Sequence, residues 1–225
     1  MVTGSRRSRS DPVATHEWVV VLDVCAKLVL LLAVSRVALD PGWGNLEGKA
    51  PGTRAITYPM LAFLVPLVYA VRRPAAPYPW LADLFITLPA FSDLLGNRID
   101  LYDRVTWFDD AMHVVSTCLL GAATVILAGS AHATFPRRLT ISVAAGMTFA
   151  LAWEVWEYCA FVTRSGEVGT AYADTVGDLA LGWLGAATAA VLFELANAPR
   201  SRKVPPSPPR PASAHRSGAP IGSDG

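Results

Sequence analysis

The sequence is poor in charged residues and in cysteine. Only 16% of its 225 residues are charged, whereas soluble domains carry about 25%. The 19 basic and 18 acidic residues nearly cancel to a net charge of +1, which removes any argument from bulk charge for a nucleic-acid-binding protein. The three cysteines, Cys25, Cys118 and Cys159, lie inside apolar runs, which is a poor placement for a disulfide framework or a thiolate metal site.

The common catalytic motifs are also missing from the sequence. It contains no phosphate-binding glycine loop, no G-x-S-x-G turn, no H-E-x-x-H pair and no C-x-x-C pair. Motifs of this kind therefore assign no reaction. What the sequence does contain is apolar residues, at 52% of the chain, with a mean hydropathy of +0.37 despite polar ends. This composition indicates a membrane protein.

Six apolar runs, separated by turn-rich segments, predict an all-α, polytopic membrane bundle of about six transmembrane helices. Each run is close to the about 20 residues that span a hydrocarbon core. The predicted helices lie near residues 17–38, 57–71, 80–96, 106–128, 139–162 and 174–197. Together they form a transmembrane domain over residues 16–198.

The two ends of the chain differ from this domain in composition. Residues 1–15 are polar and basic, and residues 199–225 are rich in proline and contain no aromatic residue. Neither segment can bury enough apolar surface to offset the entropy of ordering, so we predict disordered tails at both ends.

The distribution of lysine and arginine predicts the orientation in the membrane. With the N-terminus inside, the inner segments hold twelve of these residues and the outer loops hold five, including Lys49, Arg98 and Arg104. Because cytoplasmic loops carry the excess of positive residues, we predict a multi-pass protein of the cell membrane with both termini in the cytoplasm. The lipid bilayer is its predicted partner, and no nucleic acid is expected.

In this topology, acidic and imidazole groups gather at the outer end of three helices. The fourth and sixth helices begin there and the fifth ends there. The residues in question are Asp109, Asp110 and His113 on the fourth helix, Glu154 and Glu157 on the fifth, and Asp174 and Asp178 on the sixth. At 1.5 Å per residue, most of them lie about 5–12 Å below the outer helix ends. Spacings of three and four residues place the members of each helix on one face.

Small residues continue these faces and indicate that they point into the bundle. Glycines lie at helical spacing from the charged positions on all three helices: Gly121, Gly146, Gly182 and Gly185. Small residues allow membrane helices to approach closely, so the polar faces are expected to meet one another and to avoid lipid.

Carboxylates and a histidine on facing helices are a known way to build a metal site in a helical bundle. The candidate metal ligands are Asp109, Asp110, His113, Glu157 and Asp178. Oxygen-rich ligation with one imidazole suits Mg, Mn, Fe or Zn and does not choose among them. The candidate catalytic residues are His113, Glu154, Glu157, Asp174 and Asp178.

Structural roles for the same residues stay open. Asp174 can be a helix N-cap, and Asp109 can be a solvated interfacial group. Glu157 can pair with an arginine of the outer loops (Arg98, Arg104 or Arg164), so that the charges only hold helices together. Among other acidic residues, Asp83 and Glu194 are expected at the inner interface. Asp93, Asn97 and Asp100 are candidates for the mouth of a cavity.

The stretches WFDDAMHVVSTCLLG, WEVWEY and YADTVGDLALGWLGA resemble the YjdF-like family of uncharacterised bacterial inner-membrane proteins. More remotely, they are similar to the VanZ-like proteins. The resemblance covers about residues 100–190 and maps onto Asp110 and His113, Glu154 and Glu157, and the Asp174–Asp178 segment with Gly185. It implies a multi-spanning membrane protein with an acidic–histidine polar core, and it implies no established reaction.

Three functions follow as hypotheses. The first is an enzyme at the outer leaflet that uses a divalent metal or acid–base chemistry on a lipid-like envelope substrate. The second is a proton- or cation-coupled transporter that uses Glu154, Glu157 and Asp178. The third is a non-catalytic membrane scaffold in which the polar network only assembles the bundle.

Overall fold

The computed structural model describes residues 17–72 and 74–198, and the predicted tails at 1–15 and 199–225 lie outside these residues. Eight α-helices account for most of the described chain, and no β-strand occurs within it. The helices are α1 Glu17–Leu39, α2 Pro51–Ala62, α3 Leu64–Arg72, α4 Trp80–Arg98, α5 Leu101–Arg104, α6 Phe108–Leu127, α7 Phe135–Ala160 and α8 Ala171–Asn197. The predicted all-α helix bundle is confirmed.

Four of these helices are long and apolar enough to cross a membrane: α1, α6, α7 and α8. The pair α2 and α3 forms a fifth candidate span with a bend of 44°. The remaining predicted run forms α4, whose 19 residues include Asp83, Asp93 and Asn97, and these polar residues lower its mean hydropathy. The protein is therefore a multi-pass membrane protein with four or five candidate spans.

The bend between α2 and α3 follows from the position of Pro66. Pro66 has no N–H group to donate to the carbonyl of Ala62, so a continuous helical ladder is interrupted there. The chain passes through Phe63, whose N–H donates to the carbonyl of Pro59 and whose carbonyl accepts from Leu67. Helix α2 begins at Pro51, earlier than the start near residue 57 predicted for the second apolar run. Arg54 therefore lies in a helix.

Helices α6, α7 and α8 pack closely against one another through small residues. A Cβ atom at Gly185 of α8 would overlap the carbonyl oxygen of Val114 and the hydroxyl of Thr117 on α6. At Gly146 of α7, a Cβ atom would overlap the methyl group of Ala186 on α8. Glycine is required at these positions because the backbones approach too closely for a larger residue.

The other half of the bundle is formed by α1, α2 and α4. Leu30 and Val37 of α1 pack with Tyr58 of α2 and Leu94 of α4 in one buried cluster. A second buried cluster joins α3, α4 and α6. Helix α4 therefore lies between the two halves and contacts both.

A buried ionic group that includes Asp83 joins α1 to α4. The Lys27 ammonium contacts Asp23 on α1, lies 3.0 Å from Asp83 Oδ2 and donates to Thr87 Oγ1 at 3.0 Å. Asp83 lies in the first turn of α4 and is only 1% exposed, so it is buried in the bundle and paired. It is buried because an opposite charge and a hydroxyl offset the cost of removing it from water. Glu194 is exposed and pairs with Arg138.

Candidate functional site

Helices α6, α7 and α8 each bring one buried polar side chain to a shared position. These are His113, Glu154 and Asp178, whose side chains are 8%, 6% and 5% exposed. His113 Nε2 lies 3.5 Å from Asp178 Oδ1, and His113 Nδ1 lies 3.8 Å from Glu154 Oε1. Each ring nitrogen therefore faces a carboxylate on a different helix.

Asp109 completes the group from the first turn of α6. Its Oδ1 lies 3.7 Å from His113 Nε2, and its side chain is 50% exposed. One ligand atom each from Asp109, His113 and Asp178 lies within 4.8 Å of the others, a spacing that a single metal ion can bridge. We call Asp109, His113, Glu154 and Asp178 the acidic–histidine cluster. It lies where α6 and α8 begin and α7 ends, which we call the cluster end of the bundle.

Glu154 is held in place by a residue of α8. Its Oε2 accepts a hydrogen bond from Thr175 Oγ1 at 3.0 Å. Its Oε1 is buried and has no hydrogen-bond partner among the described residues. An unpaired buried carboxylate oxygen is costly, so this atom needs a donor such as the Nδ1–H of His113 after a small adjustment.

Three predicted site residues lie outside this cluster. Asp110 is exposed, because successive residues on a helix are turned by about 100° and only Asp109 faces His113 and Asp178. Asp174 is exposed in the first turn of α8. It is not an N-cap, because the helix begins three residues earlier at Ala171.

The third of these residues, Glu157, is half-buried one turn beyond Glu154. The three arginines expected to pair with it are engaged elsewhere. Arg104 pairs with Asp100 at 3.5 Å, Arg98 stacks on Trp43 and Arg164 donates to the carbonyl of Ala160. None of these three contacts involves Glu157.

A cavity of about 300 Å³ lies between α2, α4, α6 and α7 and reaches the cluster. Its walls are largely apolar, with Leu61, Leu120 and Phe149 among them. Its polar lining includes Asp109 and His113, both members of the cluster. The cavity thus combines an apolar body with a charged end, as ligand sites commonly do.

A second group of polar side chains, Tyr58, Asp93 and Tyr102, lines the same cavity. Of these, only Asp93 was predicted from the sequence. Asp93 of α4, one of the predicted mouth residues, lines the cavity and accepts a hydrogen bond from the hydroxyl of Tyr58. Tyr102, in the short helix α5 between the spans, also lines it. Burial and the nearby carboxylates of Asp93 and Asp109 raise the pKa of Tyr102, so its hydroxyl remains protonated and can donate.

The remaining mouth candidates have other roles. Asn97 is buried and donates to the backbone carbonyl of Asp93 at 2.9 Å. Asp100 accepts from the side-chain amide of Asn45 at 3.0 Å. Arg54 and Tyr58 were missed altogether, since Arg54 was assigned to a loop and a tyrosine within an apolar run has no distinguishing pattern.

This fold and this site define a class: a multi-pass, all-α membrane protein with a buried acidic–histidine cluster beside an apolar cavity. The chain belongs to the family described as predicted membrane protein (DUF2238), which matches residues 22–198. Neither curated proteins nor solved structures contain a significant match.

The family match confirms the resemblance at one level only. It supports a family of membrane proteins of unknown function, and it does not extend to the YjdF-like name. The remote similarity to VanZ-like proteins is not supported.

Proposed function

We propose that this protein is a membrane enzyme that acts on an amphiphilic envelope molecule at the acidic–histidine cluster. The observation that carries the proposal is the sharing of Asp109 and His113 between the cluster and the apolar cavity. An amphiphile bound with its apolar part in the cavity would present its head group to these two side chains. Glu157, half-buried one turn beyond Glu154, is an additional acid–base candidate.

The donor atoms fit a divalent metal ion held by Asp109, His113 and Asp178. Two atoms that bind one zinc ion at about 2.0–2.2 Å in tetrahedral geometry lie about 3.4 Å apart. The distances from His113 Nε2 to the two aspartate oxygens, 3.7 and 3.5 Å, are close to this value. A divalent ion with three protein ligands keeps a position open and supplies Lewis acidity toward an oxygen of the substrate.

Glu154 fits the role of an outer-shell partner in this site. A histidine that binds metal through one ring nitrogen usually donates its other N–H to a carboxylate or carbonyl. Glu154 Oε1 lies 3.8 Å from Nδ1, and Thr175 orients the carboxylate through its second oxygen. This arrangement would leave Nε2 free to bind the ion.

The proposed orientation places the cluster toward the outside of the cell membrane. It rests on the excess of lysine and arginine in segments assigned to the cytoplasmic side, with both termini there. The substrate would then come from the outer leaflet, and its apolar part would enter the cavity from the bilayer.

Metal content is the decisive measurement. Mass spectrometry of the detergent-purified protein, handled without chelators, should find about one divalent ion per chain. The ion should be lost in His113→Ala and retained in His132→Ala, a matched control whose ring bonds Asn197 far along α8 from the cluster. No ion in the wild type after metal add-back, or equal metal in both variants, would overturn the metal-dependent proposal.

A second candidate function is a transporter coupled to protons or cations. The buried group formed by Lys27, Asp23 and Asp83 favours it. This group lies toward the opposite end of α4 from Asp93, so buried ionisable residues occur toward both ends of that helix. Proteoliposomes containing a pH-sensitive dye would test it. Proton entry driven by an imposed membrane potential, and lost in Asp83→Asn, would support transport. An unchanged internal pH would count against it.

A further inference from the structure

Arg54 is a buried positive charge next to Asp93, one of the residues that line the cavity. Its side chain is 3% exposed, and it projects from the first turn of α2. Its Nε lies 3.5 Å from Oδ2 of Asp93, which lines the cavity. Arg54 is not itself a lining residue, so its guanidinium lies directly behind a wall of the cavity that Asp109 and His113 also line.

The hydrogen bonds around Arg54 leave part of it without a partner. One terminal nitrogen donates to the carbonyl of Lys49 at 3.0 Å. Nε makes no hydrogen bond to any described residue, even though Asp93 is near. Asp93 instead accepts from the Tyr58 hydroxyl and from the side-chain amide of Asn97 at 3.4 Å. Neutral donors hydrogen-bond to Asp93, and the Nε–H of Arg54, although 3.5 Å from that carboxylate, has no hydrogen-bond partner among the described residues.

Aromatic rings hold the guanidinium in position. Its central carbon lies 5.8 Å from the ring centre of Trp153, 5.2 Å from Trp156 and 5.8 Å from Phe161. Trp153 and Trp156 also line the cavity. A guanidinium stacked on aromatic faces loses little further entropy when it forms a hydrogen bond, which suits it to bind a ligand.

We propose that Arg54 binds the anionic head group of the amphiphile, and that this head group is a phosphate. This inference rests on the proposed function above, because it uses the same cavity. A phosphate has several oxygens, so it can accept from a planar guanidinium with some of them and leave others for a divalent ion.

The charges near the cavity explain why both positive groups are needed. Arg54 lies 3.5 Å from Asp93, and Asp93 lines the same cavity as Asp109 and His113. Carboxylates alone would repel a phosphate, and a bound divalent ion would offset the charges of Asp109 and Asp178. A ligand with a cationic head group is the alternative, because it would pair with Asp93 and Asp109 directly. The experiment below includes such a ligand.

The experiment measures binding of three probes by native mass spectrometry: dodecyl phosphate, dodecyltrimethylammonium and inorganic phosphate, each with and without Zn²⁺. The wild type should bind dodecyl phosphate at least about tenfold more tightly than either of the others. Arg54→Gln should lose about tenfold or more of this affinity, and Arg54→Lys should lose less because it keeps the charge but not the planar fork. Arg98→Gln is the matched control. Arg98 stacks on Trp43, which does not line the cavity, so this variant should bind within about twofold of the wild type.

Several results would overturn the inference. They are tighter binding of the ammonium probe, equal binding of inorganic phosphate, or unchanged affinity in Arg54→Gln. If Arg54→Gln does not fold, the selectivity of the wild type and the Arg54→Lys variant decide the question. Metal analysis of the same samples separates the two proposals. A wild type without metal that still prefers dodecyl phosphate through Arg54 contradicts the metal site alone, and a metal-bound protein without that preference contradicts the arginine subsite alone.

Discussion

His113 has a carboxylate facing each of its two ring nitrogens. Asp109 and Asp178 approach Nε2, and Glu154 approaches Nδ1. This asymmetry assigns different roles to the three acids, because only groups on the Nε2 side can share a metal ion with that nitrogen. In the proposed metal site, Glu154 would act through the ring, as a positioning residue.

The neighbouring aspartates Asp109 and Asp110 provide a matched test of this geometry. Asp109→Asn should weaken metal binding by at least as much as the loss of an outer-shell partner, about 10–100-fold, because it removes a charged ligand. Asp110→Asn should leave metal affinity unchanged, since Asp110 is exposed and outside the cluster. Competition titrations with a chromophoric chelator would measure both, and equal effects would contradict the assigned ligand set.

Glu154→Gln tests the positioning role. The substitution keeps the size and the acceptor for Thr175 but removes the charge that faces Nδ1, so metal affinity should fall about 10–100-fold. Thr175→Val should give a smaller loss in the same direction, because the carboxylate stays but is less well oriented. A Glu154→Gln protein with wild-type metal affinity would show that the carboxylate does not act through His113.

At this scale, the sequence predicted the convergence but not the selection among neighbours. Helical spacing was enough to bring His113, Glu154 and Asp178 to one layer. It could not choose between Asp109 and Asp110, because both lie within one turn of His113 and the rotation of α6 is set by packing against α7 and α8. The sequence did not predict that Arg54 is buried in the bundle, because this depends on α2 beginning at Pro51.

At the scale of helices, α8 has one face that is closely packed and one that is open. Gly185 leaves no room for a Cβ atom next to the backbone of α6, whereas a Cβ atom at Gly177 would meet nothing within 4 Å in the described part of the chain. The same helix therefore contains a glycine required by packing and a glycine that packing does not require.

This difference predicts opposite effects of the same substitution. Gly185→Ala should lower the free energy of unfolding by about 1–3 kcal/mol, because α6 and α8 must move apart. Gly177→Ala should be neutral or stabilising by up to about 1 kcal/mol, because alanine is the better helix former. Thermal unfolding in detergent would measure both, and similar destabilisation by the two would rule out packing as the cause.

Helix α1 contributes to two ion pairs that have the same four-residue spacing but different environments. Lys27 is buried with Asp23 and Asp83, whereas Arg36 and Asp40 are 46% and 47% exposed. Lys27→Met should therefore destabilise the protein by about 3–5 kcal/mol, because it leaves buried carboxylates uncompensated. Arg36→Met should cost less than about 1 kcal/mol. A stable Lys27→Met protein would mean that the two carboxylates are neutralised in another way, for example by taking up a proton.

At the scale of the whole molecule, hydropathy predicted the bundle but not its internal arrangement. The lengths of the apolar runs were enough to predict membrane helices. The bend at Phe63 and the central position of α4 depend on prolines and on side-chain pairing between distant helices, which periodicity does not encode. Asp83 illustrates this limit, because it lies near a helix end yet is buried against Lys27 of another helix.

Orientation is the remaining property of the whole molecule on which the function depends. Thr106 lies in the loop before α6 at the cluster end, and Thr134 lies in the loop before α7 at the other end, and both are exposed. In a background with Cys25, Cys118 and Cys159 replaced by serine, Thr106→Cys should react with an impermeant maleimide in intact cells. Thr134→Cys should react only after permeabilisation, because lysine and arginine favour the cytoplasmic side for its loop. The reverse pattern would place the cluster on the cytoplasmic face, and the substrate would then have to come from the inner leaflet.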